Sequence, residues 1–375
     1  MLRSPLLRSL AALGALTLLA TSCTGDDSSS DTTAPATSVT DGNPSTTAAA
    51  PTTPDGSATT VVAERALDRV RAPEAGTVTD LLALDRPIVI AHAGGDFDAP
   101  HSTMYAFTEA ALAGADVLEM DVMLTADHVL VVQHDDTVDR TTESTGRVRD
   151  LTYDQLSALD NAYWFSGDTW SDHSLPAGSY PWRGVRNGAV APPAGYSPDD
   201  FRVETFRSVA SAFPHHVLDI EVKIPTGDDG QPDVAWAIEG AHELAAELDE
   251  LGRTGSAVVV SFDADVIAAF HEAAPTVATS PGLSTLVDWY AGADVAFAPT
   301  DVVMQVPPVY GGVEVLTPDV IARAHADGFA VWVWMDDTTT EENAAFYADL
   351  LGRGIDGLLV SKPALAVDVV TDSSS

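Results

Sequence analysis

Two stretches decide the fold: Pro87-Ile88-Val89-Ile90-Ala91-His92-Ala93-Gly94-Gly95, and then Asp116-Val117-Leu118-Glu119-Met120-Asp121-Val122. Residues 87–91 are almost continuously apolar, as a strand buried on both faces of a parallel sheet must be. Between the two stretches, Met104, Phe107, Ala111 and Leu112 share one helical stripe, and Gly114 ends it. The second stretch then opens a new strand at Asp116. The spacing therefore predicts a strand, a helix and a second strand in close succession.

The same rhythm runs through the rest of the chain. His128 to His134 reads as a further Val-rich strand and Val217 to Val222 as the next, followed by a helix through Ala235 to Leu251. Ala257 to Phe262 is a strand leading to a helix from Asp263. Thr317-Pro318-Asp319 supplies a cap and a first-turn proline for a helix that stops at Gly328. Phe329 to Trp334 and Ile355 to Val360 are the last strands, with a helix through Phe346 to Leu350 between them. Alternation over about 280 residues has the size of a closed (β/α)8 TIM barrel in the α/β class. An open doubly wound sheet is the alternative, and no Gly-rich dinucleotide or phosphate-loop fingerprint supports it.

Asn161 to Tyr196 breaks the rhythm, with Trp164, Phe165, Trp170, Tyr180, Trp182 and Tyr196 set among Gly, Ser and Pro. It reads as an insertion, about 161–200, over the C-terminal mouth of the barrel. Its aromatics either wall a substrate pocket or pack the insertion itself.

The chain has 375 residues and a net charge of −38, which excludes a nucleic-acid partner because phosphate backbones need Lys and Arg. An anionic substrate would need a metal cation or a local basic group to offset that field. The only cysteine, Cys23, rules out an intrachain disulfide. Arg3 and Arg8, an apolar run from Leu10 to Ala20 and the small residues before Cys23 describe an export signal over residues 1–23. The Cys resembles the lipidated residue of bacterial lipoproteins, which would anchor the protein to the outer face of the cytoplasmic membrane; plain secretion is the alternative. Residues 24–60, rich in Ser, Thr, Ala, Pro and Asp, read as a disordered tether, 61–370 as the barrel domain and 371–375 as a disordered tail. No feature identifies a protein partner.

The chemistry concentrates at strand ends. His92 ends the first strand, and Glu119 and Asp121, two apart, share one face of the second. His134 and Asp135 end the third, and Glu221 and Lys223 are again two apart. In a barrel, ionisable residues at these ends converge on the mouth. Three carboxylates brought together imply a cation, and all-oxygen ligands suit one hard divalent ion such as Ca²⁺ or Mg²⁺. Two histidines flanking a phosphate can act as general acid and general base.

These residues carry a family resemblance. Ile90-Ala91-His92, Pro100-His101-Ser102-Thr103 and Gly114 to Val122 resemble the first signature of glycerophosphodiester phosphodiesterases. Val132-Gln133-His134-Asp135, Asp139-Arg140-Thr141-Thr142, Ile220-Glu221-Val222-Lys223, Val331 to Trp334 and Gly354-Ile355-Asp356-Gly357 continue it. The resemblance implies His92 and His134 as the acid-base pair and Glu119, Asp121 and Glu221 as metal ligands. It places Lys223 on the phosphate and Trp334 in the pocket wall. The implied reaction cleaves a glycerophosphodiester to glycerol phosphate and an alcohol, a glycerol hydroxyl attacking phosphorus and water opening the cyclic product.

The chain departs from that pattern in two places. Ala93 stands where the family has Arg, and His101-Ser102 where it has Glu-Asn. His101 is expected to offer a nitrogen to the site, and Gly94 and Gly95 to let backbone amides approach a phosphate. A change of substrate or metal preference is expected from these departures. The rival readings are a lipid phosphodiesterase similar to the lysophospholipase D and sphingomyelinase D enzymes, and a surface binding protein that keeps the barrel without the reaction.

Overall fold

The computed structural model describes residues 64–335 and 340–373; the leader, the tether and residues 374–375 of the expected tail lie outside them. Among the described residues, strands β1 (Ile88–Ala91), β2 (Val117–Leu124), β3 (Leu130–Val132), β4 (Val217–Val222), β5 (Ala257–Val260) and β6 (Ala278–Thr279) come first. They are followed by β7 (Val303–Val306), a short hairpin of β8 (Val309–Tyr310) and β9 (Val313–Glu314), then β10 (Ala330–Val333) and β11 (Gly357–Val360). Parallel pairing runs in the order β6-β5-β4-β2-β1-β11-β10-β7. A parallel bridge from Thr279 to Asp301 brings the two ends together. The result is a nearly closed barrel of eight parallel strands, as the alternation predicts.

Helices α1 (Met104–Ala113), α2 (Phe206–Ala212), α3 (Val234–Glu250), α4 (Ala264–Ala273), α5 (Leu283–Tyr290), α6 (Pro318–Ala326), α7 (Ala344–Gly352) and α8 (Pro363–Ser373) supply one return each. Their starts are written in the sequence. Thr103, Thr205, Asp233, Asp263, Thr317 and Asn343 each accept a backbone N–H at an N-cap. The last helix runs to Ser373, so residues 371–373 are helical where a disordered tail is expected. Ala366, Val369 and Val370, at i, i+3 and i+4, pack on one face against the core and carry the helix through that end.

One strand is not what its pattern implied. β3 pairs antiparallel with β2, Val122 opposite Val132, so it is a hairpin arm outside the barrel rather than its third strand. A short Val-rich run is compatible with either arrangement.

Alternation sorts the strands into two faces. Leu118, Met120, Val122, Leu218 and Ile220 pack outward against Phe107, Leu244 and Phe270 of the helices. Ile88, Ile90, Val117, Val217, Val258, Val303, Trp332 and Leu359 fill the barrel, and Val78 and Leu81 close its lower end. Following the inward positions upward, Val117 gives way to Glu119 and Asp121, and Val217 to Asp219 and Glu221. The interior is thus apolar below and acidic at the mouth, which fixes where polar chemistry can occur.

Candidate active site

The first group grows from the turn after β1. His92–Gly94 form a tight turn with Ala93 at φ 47° and Gly94 and Gly95 at φ 85° and 91°, conformations that favour glycine. A Cβ on Gly94 would lie 2.8 Å from the Cβ of Ala106, and one on Gly95 2.7 Å from Pro363. Both glycines therefore let the turn rest on α1 and α8, a packing reason that holds apart from any contact with phosphate. The turn aims the His92 ring at the mouth, where its Nδ1 lies 3.0 Å from Asp96 Oδ1. Burial opposes charge on this ring, but Asp96, Glu119 and Asp121 outweigh it and raise its pKa to about 10.

His134 enters from the segment after β3, with Nδ1 2.6 Å from Asp135 Oδ1. Arg140 grips the same carboxylate, Nε to Oδ2 at 2.5 Å and Nη2 to Oδ1 at 3.3 Å. Burial works to raise the Asp135 pKa; the bond to His134 and the Arg140 charge override it and hold this carboxyl well below its ordinary range. His101 completes a triangle. Ring centroids stand 6.3 Å apart for His92 and His134, 5.9 Å for His92 and His101, and 5.6 Å for His101 and His134.

The second group is the acidic floor. The β2/β4 register sets Glu119 opposite Asp219 and Asp121 opposite Glu221. Glu119 Oε2 accepts from Ala93 N–H at 2.7 Å, which ties this floor to the His92 turn. Lys223 Nζ bridges Glu221 Oε1 at 3.0 Å and Asp121 Oδ1 at 3.4 Å. Burial, then the charges of Asp121 and Asp219, drive the Glu119 pKa well up. Asp219 is likewise pushed up to about 7 by burial, although Gln305 Nε2 donates to it at 2.7 Å.

Among the described residues no three His, Cys, Asp or Glu side chains already stand in metal-ligating geometry. The acidic residues close round the Lys223 ammonium instead. Even so, Lys223 bridges only Asp121 and Glu221 of the four carboxylates, and Asp121 Oδ2 and Asp219 Oδ2 are buried without a hydrogen-bond partner. That all-oxygen set with an unfilled acceptor fits a hard divalent cation.

Beside the histidines lies a small cleft lined by Asp96, His101, Arg140, Asn161, Phe165 and Trp170. Trp170 comes from the insertion. It stands 5.1 Å from His134 and 6.4 Å from His101, with the Arg140 guanidinium 4.4 Å over its face. Apart from Phe165, the other insertion aromatics pack within the insertion or against α1, Arg183 lying over Tyr163, Trp164 and Tyr180, and Trp182 and Tyr196 sitting 5.0 Å and 4.7 Å from Tyr105. Both readings of the insertion thus hold, for different residues.

The structure gathers His92, His101 and His134 into one cluster and Glu119, Asp121, Glu221 and Lys223 into the one beneath it. Trp334, just past the end of β10, packs against the apolar cluster inside the barrel, its ring 5.7 Å from that of Phe262. The sequence points to Trp170 only as one of several insertion aromatics and to Arg140 only within a family motif, and gives no role to Asp96, Asp219 or Gln305. Of these last three, Asp219 carries a usable signal, lying two residues before Glu221 on the inward face.

The profile described as "Glycerophosphoryl diester phosphodiesterase family" matches residues 92–365. Human glycerophosphodiester phosphodiesterase 1 is 44% identical over 90 residues, 24% of this chain and 27% of that protein. A glycerophosphodiester phosphodiesterase of Bacillus subtilis is 28% identical over 206 residues, 55% of this chain and 62% of that protein. The chain thus spans about a quarter of the length of the human relative. An Oleispira antarctica phosphodiesterase, solved with the product sn-glycerol-3-phosphate, shares the fold at a TM-score of 0.53 and 17% identity, covering 76% of this chain and 97% of that one. With a profile match that begins at the cleft histidine and runs through the last strand, the chain belongs to the glycerophosphoryl diester phosphodiesterase family.

Proposed function

We propose that the protein hydrolyses glycerophosphodiesters to glycerol phosphate and an alcohol, with His92 and His134 exchanging the protons. One observation carries the reading. Both imidazoles are held at Nδ1 by a carboxylate, Asp96 or Asp135, and their rings stand 6.3 Å apart, which leaves Nε2 of each as the nitrogen for a substrate proton. His134 takes the proton of the attacking glycerol hydroxyl as it bonds to phosphorus. His92, kept charged by the carboxylates around it, gives its proton to the departing alcohol oxygen. Water then opens the cyclic phosphate with the two roles reversed.

A divalent cation held by Glu119, Asp121 and Glu221 would neutralise charge on the phosphoryl oxygens. Lys223, bridging two of those carboxylates, is placed to turn its ammonium to the same oxygens. The basic and apolar leader before Cys23 supports an exported protein, lipid-anchored or secreted.

The test is release of glycerol phosphate from glycerophosphocholine in Ca²⁺ or Mg²⁺ and again in excess chelator, for the parent and for His92→Ala and His134→Ala. Metal-dependent release that falls about 100-fold or more in each variant is expected. No release in either metal, or full activity in both variants, overturns the proposal.

A further inference from the structure

His101 holds a position at the cleft that neither the acid-base pair nor the acidic floor uses. Its ring is 4% exposed and sits between those of His92 and His134, with Trp170 on a third side. Its Nδ1 lies 2.7 Å from Ser102 Oγ, while its buried Nε2 has no protein partner although the residue lines the cleft. A ring nitrogen shut away from water and left unpaired is costly, so a ligand atom is the natural partner.

The backbone holds this ring firmly. Ser102 N–H donates to Ala93 C=O at 2.9 Å, and Asn161 Nδ2 donates to His101 C=O at 3.1 Å. Thr141 Oγ1 in turn donates to Asn161 Oδ1 at 2.6 Å, which fixes the amide. Ala93 and His101-Ser102, the two departures from the family pattern, are thus neighbours across one backbone hydrogen bond. They form a single local change, in which a small residue at 93 accompanies an imidazole at 101.

Bond satisfaction also fixes the tautomer. The Ser102 side chain is fully buried, and Nδ1 of His101 is its one hydrogen-bond partner among the described residues. If Nδ1 carried the ring hydrogen, the hydroxyl hydrogen would have no acceptor. The hydroxyl therefore donates to Nδ1, and the ring hydrogen resides on Nε2. Burial, joined by the charge of Arg140, disfavours a second proton on the ring.

We propose that His101 is a substrate-binding residue whose neutral Nε2–H, oriented by Ser102, donates to a non-bridging phosphoryl oxygen between His92 and His134. This inference rests on the phosphodiesterase reading above. It separates His101 from the acid-base pair, because a donor locked in one tautomer binds the phosphoryl group without moving a proton.

The test uses the full chain with ¹⁵N-labelled histidine and two-bond ¹H–¹⁵N spectra, His101 being assigned by its loss in His101→Gln. The expected spectrum shows a protonated Nε2 and an unprotonated Nδ1, with Nε2 moving when glycerol 3-phosphate is added. Ser102→Ala is expected to mix the tautomers. In steady-state hydrolysis of glycerophosphocholine, His101→Phe is expected to lose about 10- to 100-fold in kcat/KM. His101→Gln, whose amide nitrogen stands near the place of Nε2, is expected to recover most of it. An Nδ1–H tautomer, an Nε2 indifferent to glycerol 3-phosphate, or unchanged kinetics in a folded His101→Phe each overturns the proposal. A parent that releases no glycerol phosphate defeats the hydrolase reading instead, and the glycerol 3-phosphate titration then decides on His101 alone.

Discussion

His134 Nδ1 lies 2.6 Å from Asp135 Oδ1, and this contact settles which ring nitrogen faces the cleft. The carboxylate is itself gripped by Arg140, so ring, carboxylate and guanidinium form one hydrogen-bonded chain. Asp135→Asn keeps the shape and removes the charge that orients the imidazole. A fall in kcat of about 10- to 100-fold is expected, with a smaller change in KM. Steady-state release of glycerol phosphate measures it, and an unchanged kcat would remove Asp135 from the mechanism.

Asp121 offers a different test, because its Oδ2 is buried without a partner while Oδ1 faces Lys223. A cation bound there stabilises only the folded state, by about 2.7 kcal/mol at a hundred times its Kd. Millimolar Ca²⁺ or Mg²⁺ should therefore raise the thermal midpoint by several degrees. Chelator should reverse the gain and Asp121→Asn abolish it. A midpoint that ignores both metals would argue that Lys223 is the cation this floor was built for.

How much of this was legible in the sequence depends on how locally each feature is encoded. β1, β2, β4 and β11 were readable because each is a run of four or more residues that is apolar on its outward face. β6 has two residues, Ala278 and Thr279, too few for any period to register, and β7 lies after a loop rich in Ala and Asp. His92, Glu119, Asp121 and Glu221 were found because alternation along a strand places side chains without knowledge of the partner strand. Their partners are another matter. Asp96 meets His92 only through the turn at Ala93, and Trp170 reaches His134 from a loop with no regular structure. The Trp170 contact depends on long-range closure of the chain, and the Asp96 contact, only four residues along, on the left-handed turn at residues 93–95; residue spacing records neither.

Inside the barrel, Gly357 stands where strand β11 passes the fully buried Trp332 ring. A Cβ there would lie 2.7 Å from Trp332 Cδ1 and 3.1 Å from Ile88 Cγ1. Gly357→Ala is expected to cost about 1–3 kcal/mol through overpacking and to lower the thermal midpoint. Adding Trp332→Phe should return part of the loss, since the clash and its partner are then coupled. Equal destabilisation by Gly357→Ala in both backgrounds would show that the indole is not what Gly357 accommodates.

His216 ties stability to pH away from the cleft. The residue is 2% exposed, and burial, with the charge of Arg253 and the neighbouring His215, lowers its pKa to about 4, while Asp116 pulls weakly the other way. Arg253 is committed here, donating to the carbonyls of Ala210 at 2.6 Å and Phe213 at 3.2 Å and to that of His216. Unfolding releases the ring to its ordinary value of about 6.5, so the unfolded chain binds this proton first as pH falls. The contribution is therefore fully present above pH 6.5 or so and drains away toward pH 4, at up to about 1.4 kcal/mol per pH unit, about 3 kcal/mol in all. Carboxylates such as Asp135 add their own acid sensitivity, so the informative quantity is a difference between two proteins. His216→Phe keeps a ring of similar size and cannot take up the proton. Denaturant unfolding at pH 7.5, 6, 5 and 4.5 should show the parent losing stability faster than the variant across that range. Parallel pH profiles for the two would mean that the buried ring finds a way to carry its charge in the folded state.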